Sequence, residues 1–379
     1  MGLGMTSRIT AIYHVTATAA TIESRAQGIA VEQSVEMPLA AIDDPRVLEE
    51  IVGQVQSITD LGQGVYEVRI GLAVETTGLE AGQLINMLYG NTSIQDDTVL
   101  WDAEFPEEVF AAFKGPNVGL EGLRADKAPG RAMTCGALKP QGLPVARLAD
   151  LARRFADAGP DFIKDDHGHA DQAFSPYAER VPAIARAVRE SNARTGFKTR
   201  YLPSLNGNLD QMRAQIRLGQ AEGLDTFMIA PMIAGFSTFH TLVRENPTTA
   251  FFSHPTMTGA SRIAPAFLHG KLFRLLGADA VIYTNHGGRF GFTRETCRAI
   301  ARNATKPWGG LKGAVPVPAG GMTQDRVPEM VECYGADVIL LIGGGLLLAR
   351  ERLTEETRAF VEAVAALPAP PGPGAEEVA

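Results

Sequence analysis

The chain has 379 residues, a formal net charge of −8 at neutral pH, and 45% hydrophobic and 21% charged residues. That length exceeds one average domain, and the apolar fraction suffices for a large core. The acidic balance speaks against a general nucleic-acid binder and against attraction to an anionic membrane, but not against an anionic small molecule in a locally basic pocket.

Residues 9–16 and 64–73 alternate apolar and polar side chains as half-buried strands do, and 44–55 and 79–88 carry helical spacing. Residues 1–125 are therefore expected to form an α+β domain with an antiparallel sheet. From 126 to 367 a strand-then-helix unit repeats. Its candidate strands are 132–136, 161–164, 199–202, 226–230, 250–253, 280–283, 315–318 and 338–342, separated by helices such as 145–157, 177–192 and 209–221. Eight such units predict an α/β fold closed as a (β/α)₈ TIM barrel. The rival, an open doubly wound sheet, lacks GxGxxG after its first strand. Residues 368–379, rich in Pro, Gly, Ala and Glu, predict a disordered tail. Cys135, Cys297 and Cys333 stand far apart without CxxC spacing, which suits a reducing cytoplasm. No signal peptide is expected, and the apolar run 339–348 is too short to cross a bilayer.

The chemistry-bearing residues gather at the ends of these strands, the face on which barrel enzymes build their sites. Lys139 ends the first in Gly136-Ala-Leu-Lys-Pro, where a desolvated ammonium can lose its proton and act as a base; a surface lysine in a loop is the plain alternative. Lys164, Asp165, Asp166 and His167 follow the second. Buried charges are unfavourable unless paired or metal-bound, so these aspartates, His167 and His169 read as a candidate site for a divalent ion, against a solvated loop capping the next helix. Gly320 and Gly321 close the seventh strand, and Gly344 and Gly345 the eighth. Their backbone N–H groups suit phosphate at the usual place in such barrels, against a pair of tight turns. Ser253-His254-Pro255, Asn206-Gly-Asn208 and Asn285-His-Gly-Gly-Arg289 crowd the same mouth.

Gly136-Ala-Leu-Lys-Pro, Phe162-Ile-Lys-Asp-Asp, Ala319-Gly-Gly and Ile342-Gly-Gly-Gly, in this order, resemble the ribulose-bisphosphate carboxylase large-chain superfamily, specifically its non-carboxylating RuBisCO-like branch. The resemblance covers nearly the whole chain. It implies that Lys164 is carbamylated by CO₂ and binds Mg²⁺ with Asp166, that Lys139 abstracts or relays a proton, and that His254 stands near the substrate. It also implies one phosphate on the glycine loops and a homodimer in which Glu32 and Asn91 complete the partner's site.

The departures from the family pattern narrow the chemistry. His167 replaces a glutamate ligand, which favours Mn²⁺ or Co²⁺ as alternatives to Mg²⁺. Gln141 replaces a lysine, Pro255 an arginine that grips a second phosphate, and the mobile-loop lysine that holds CO₂ has no counterpart. Carbon fixation is therefore not expected. The expected activity is metal-dependent enolisation and isomerisation of a phosphorylated ketose, S-methyl-5-thioribulose 1-phosphate of methionine salvage first. Enolisation of the related diketone phosphate is the near alternative. Decarboxylation or hydrolysis of a phosphorylated 3-oxo sugar acid, with Arg289 as the extra cation, is a further one, and a non-enzymatic scaffold the last.

Overall fold

The computed structural model describes residues 7–127 and 130–368; the expected tail lies outside them apart from Pro368. The chain divides into two compact units, one of residues up to 114 with 257–268, the other of 115–256 with the residues from 269 onward.

In the first unit, strands β1 (Arg8–Thr16), β2 (Gln54–Gly62), β3 (Val65–Ala73) and β4 (Thr98–Glu104) form an antiparallel sheet in the order β2-β3-β1-β4. The period-two pattern buries Ile9, Ala11, Tyr13 and Val15 of β1 with Val68, Ile70 and Leu72 of β3. The Tyr13 hydroxyl donates to the Leu88 carbonyl at 2.6 Å, tying β1 to the end of helix Ala81–Tyr89.

The helix expected over 44–55 is shorter, covering residues 45–51 only. A single π-helical stretch, Val47–Ile51, gives way to β2 at Gln54. Gly53 explains the change, because a Cβ there would stand 2.3 Å from the Ala30 carbonyl oxygen. The chain passes too close to helix Ile22–Glu32 for any other residue. Beyond it, the polar Gln54, Gln56, Ser57 and Thr59 make an exposed edge strand rather than a helix face.

The second unit is the barrel. Its strands are β5 (Met133–Leu138), β6 (Phe162–Asp165), β7 (Arg200–Leu202), β8 (Thr226–Ile229), β9 (Ala250–Ser253), β10 (Ala280–Thr284), β11 (Val315–Ala319) and β12 (Ile339–Ile342). All pair in parallel, in the runs β12-β5-β6-β7 and β8-β9-β10-β11. The Leu205 N–H donates to Met228 O at 2.8 Å and the Met228 N–H to Pro203 O at 2.9 Å, joining β7 to β8, while β11 lies beside β12. The ring is thereby closed as the eight-unit pattern predicted.

Alternate residues such as Met133, Cys135, Phe162, Phe252, Ile282 and Val317 fill its interior. The entry ends of two strands carry buried carboxylates. Asp161 pairs with Arg131 at 2.8 Å. Asp279 accepts from the N–H groups of Val118 and Gly119 at 2.7 Å and of Phe251 at 2.8 Å, and burial pushes it up to about 6. Among the described residues no helix is long and apolar enough to cross a membrane.

Candidate active site

Strand alternation sorts the Lys-Asp-Asp run. Phe162 belongs to the barrel interior, so the period of two carries Lys164 and Asp166 to that side and turns Asp165 toward the helices. Lys164 is 3% exposed, and its ammonium donates to the Asp165 backbone carbonyl at 2.7 Å rather than to a carboxylate. Burial lowers its pKa below the ordinary lysine value, against the opposing pull of Cys135 and Asp166.

Asp166 is the meeting point of the site. Its Oδ1 receives the Lys139 ammonium and stands 3.3 Å from His167 Nδ1. Burial works against the carboxylate, but the hydrogen bonds from His167 and Lys139 and the Lys164 charge hold it far below the ordinary carboxylate range. His167 stacks on His254, with ring centroids 4.6 Å apart and planes 10° from parallel.

His254 Nδ1 lies 2.6 Å from Thr256 Oγ1 and 3.3 Å from the Thr256 N–H. An N–H can only donate, so Nδ1 accepts and the neutral ring carries its proton on Nε2. Burial, with Lys164 and His167 close by, keeps the His254 pKa well below the histidine norm. Lys139, Lys164, Asp166, His167 and His254 thus form one connected group.

The glycine loops flank that group. A Cβ on Gly343 would lie 3.7 Å from Lys139 Cε, which brings the end of β12 beside Lys139. Gly344 and Gly345 follow at the start of the short helix Gly344–Leu347, with open space around the Gly344 Cβ position. Gly320 and Gly321 both have positive φ, +88° and +92°. The Arg289 N–H donates to Gly320 O at 3.2 Å, and the Arg289 guanidinium lies over the Phe290 ring.

Other strand-end residues serve the scaffold instead. Asn285 accepts from the Tyr334 hydroxyl at 2.7 Å, and His286 Nε2 is 2.7 Å from Glu329. Asn208 caps helix Leu209–Ala221, and Asn206 donates to the His169 carbonyl at 2.8 Å. The side chains of Asp165 and His169, read from sequence as possible ion ligands, are both buried and face each other at 3.6 Å instead of joining the Asp166 carboxylate.

Glu32 and Asn91 belong to the N-terminal unit, where the Asn91 amide donates to Glu32 Oε1 at 2.9 Å. Sequence reading missed what holds them. Gln33, 2% exposed, donates to the Asn86 and Met87 carbonyls and accepts from the Thr92 N–H, fixing the turn that presents Asn91. It also missed Thr256, which orients His254, and Arg180, the buried partner of Asp165. An arginine inside the apolar stripe of a helix was the available signal for the last.

The family profile "Ribulose bisphosphate carboxylase large chain, catalytic domain" matches residues 122–350. The chain is 64% identical over 363 residues to the 5-methylthioribulose-1-phosphate isomerase of Rhodospirillum rubrum, covering 95% of this chain and 97% of that protein. It is 51% identical over 364 residues to ribulose bisphosphate carboxylase-like protein 1 of Rhodopseudomonas palustris, covering 96% and 99%. The crystal structure of a Rubisco-like protein from Rhodopseudomonas palustris superposes with a TM-score of 0.89 at 49% identity, over 95% of this chain and 98% of that one. The chain belongs to the ribulose bisphosphate carboxylase large chain family, in its RuBisCO-like branch.

Proposed function

We propose that this chain is an enolising isomerase of a phosphorylated ketose, 5-methylthioribulose 1-phosphate being the substrate that its relative's 64% identity favours. The observation that carries the reading is the group built on Asp166: a buried Lys164 on one side, Lys139 and His167 on its carboxylate, and His254 stacked beyond. Pro255 stands where the carboxylating enzymes place a phosphate-gripping arginine, which supports a monophosphate and argues against carbon fixation.

The residues fit a divalent cation on one condition. Among the described residues no group of three His, Cys, Asp or Glu could hold an ion. A third donor must come from Lys164, whose desolvated amine is of the kind that adds CO₂ to become an anionic carbamate. Lys164 so modified, Asp166 and His167 would hold Mg²⁺, with Mn²⁺ or Co²⁺ as alternatives. The cation supplies an electrophile for the substrate carbonyl.

The chain's own groups do the rest. The loops at Gly320–Gly321 and Gly344–Gly345 offer backbone N–H groups to the phosphate, which fixes the reacting carbons near Lys139. Lys139, standing on the Asp166 carboxylate, relays the proton between the carbon beside the carbonyl and the other reacting carbon. His254 donates its Nε2–H toward the oxygen that gains charge. Glu32 and Asn91 are proposed to complete the site of a partner subunit. The test is NMR of the ketose phosphate incubated with protein, Mg²⁺ and bicarbonate: a new ketose phosphate isomer supports the reading. Turnover of only the diketone phosphate would make the chain an enolase, and turnover of neither would remove the reading.

A further inference from the structure

We infer that Asp165, with Arg180 and Tyr201 around it, is a positioning element of the active site; the inference rests on the proposed function. Asp165 is fully buried, and strand alternation sets it on the face opposite Lys164 and Asp166. Its Oδ1 accepts from the Tyr201 hydroxyl at 2.8 Å and faces His169 Nδ1 at 3.6 Å, and its Oδ2 accepts from the Ser204 N–H at 3.2 Å and faces Arg180 Nε at 3.5 Å. Arg180, also fully buried, donates through Nη1 to the Ala170 and Ser175 carbonyls at 2.8 and 2.6 Å. One carboxylate therefore clamps β6 to β7 and, through Arg180, to the loop that follows His167 and to helix Tyr177–Thr195.

Its two chain neighbours are Lys164 and Asp166, and its own backbone carbonyl is the acceptor for Lys164 Nζ. Because adjacent strand residues share one backbone and point to opposite faces, a twist of the strand at Asp165 displaces the side chains of both neighbours. A whole buried ion pair can often be replaced by apolar side chains without loss of stability, so stability alone does not call for this pair. Removing Asp165 alone, by contrast, leaves the buried Arg180 charge without its partner. Asp165 stands at the exit end of its strand, beneath the reacting groups. The entry-end carboxylates Asp161 and Asp279 have no such neighbour.

The test compares Asp165→Asn with Asp279→Asn. Both remove a buried carboxylate charge, but only the first lies under Lys164 and Asp166. For Asp165→Asn the expected result is KM within about threefold of wild type and kcat lower by about 100-fold, the scale of a 1 Å misplacement. Asp279→Asn should lose Tm yet keep kcat. Tyr201→Phe, which removes one hydrogen bond and keeps the charge, should lower kcat by about tenfold without changing KM. If Asp165→Asn does not fold, Tyr201→Phe decides alone. Losses of kcat that merely track Tm, as in the Asp279 control, would overturn the inference.

Should wild type leave the ketose phosphate unchanged, the function reading falls by itself. Crystal structures of wild type and Tyr201→Phe then decide the positioning role. Displacement of Lys164 Nζ from the Asp165 carbonyl supports it, and an unmoved Lys164 overturns it.

Discussion

Two glycines of the proposed phosphate loops differ enough to separate binding from folding. At Gly321 the φ of +92° is strained for any L side chain, at a cost of about 1–2 kcal/mol. An added Cβ would also meet the Arg289 nitrogen at 3.0 Å and Gly288 Cα at 3.1 Å, backbone atoms that yield only if the loop moves. Gly344 has no positive φ, and nothing lies within 4 Å of its Cβ position. Gly344→Ala should therefore leave Tm near wild type, whereas Gly321→Ala should lower it. Each methyl stands where phosphate oxygens are proposed to approach. Loss of one hydrogen bond to a charged group is about 1.5–3 kcal/mol, or about 10- to 150-fold in affinity. Both variants should raise KM and weaken competition by inorganic phosphate on that scale, measured beside thermal unfolding. A Gly344→Ala protein with wild-type Tm, KM and phosphate competition would place the phosphate elsewhere.

Lys164→Met removes a desolvated ammonium and, in CO₂-free buffer, should raise Tm at neutral pH. The folded-state pKa of Lys164 is below its ordinary 10.5, so the unfolded chain binds more protons in the window beneath that value and wild type gains stability as pH rises through it. The advantage of the methionine variant should fade toward pH 10.5, and a pH-independent difference in thermal melts would contradict the burial assigned to the ammonium. With Pro255 in place of a phosphate-gripping arginine, no ¹⁴CO₂ should be fixed onto ribulose 1,5-bisphosphate, and turnover above a heat-killed control would refute this. If Asn91 serves the partner's site, inactive Lys164→Met and Asn91→Ala subunits should recover activity on mixing and refolding, because one of the two sites in each mixed dimer is intact. Absence of recovery would remove the shared site.

Barrel and sheet were legible because both periods were written plainly: apolar runs at strand length separated by helical spacing after 126, and alternation in 9–16 and 64–73. The end of the helix expected over 44–55 was not, since its helical spacing is local and the close pass of Gly53 over Ala30, which ends the helix after Ile51, is a tertiary fact. At the site, Lys139, Lys164 and Asp166 could be read from strand ends alone. Asp165 and His169 were grouped with them because composition does not show which way a side chain turns; strand alternation, applied residue by residue, would have separated Asp165 from its neighbours. The clustered histidines misled similarly, for His286 is held by Glu329, whereas His254 does join the group. Thr256, Gln33 and Arg180 act through backbone contacts and pairings that no spacing announces.

The most direct measurement is proton exchange at the reacting carbon. Wild type, Lys164→Met and Lys139→Met are incubated with 5-methylthioribulose 1-phosphate in D₂O containing Mg²⁺ and bicarbonate, and deuterium is followed by NMR. The wild-type protein should place deuterium on carbon and form an isomer, and neither variant should do so. Exchange that persists in Lys164→Met, or none in wild type, would contradict an enolisation centred on Lys164, Asp166 and Lys139.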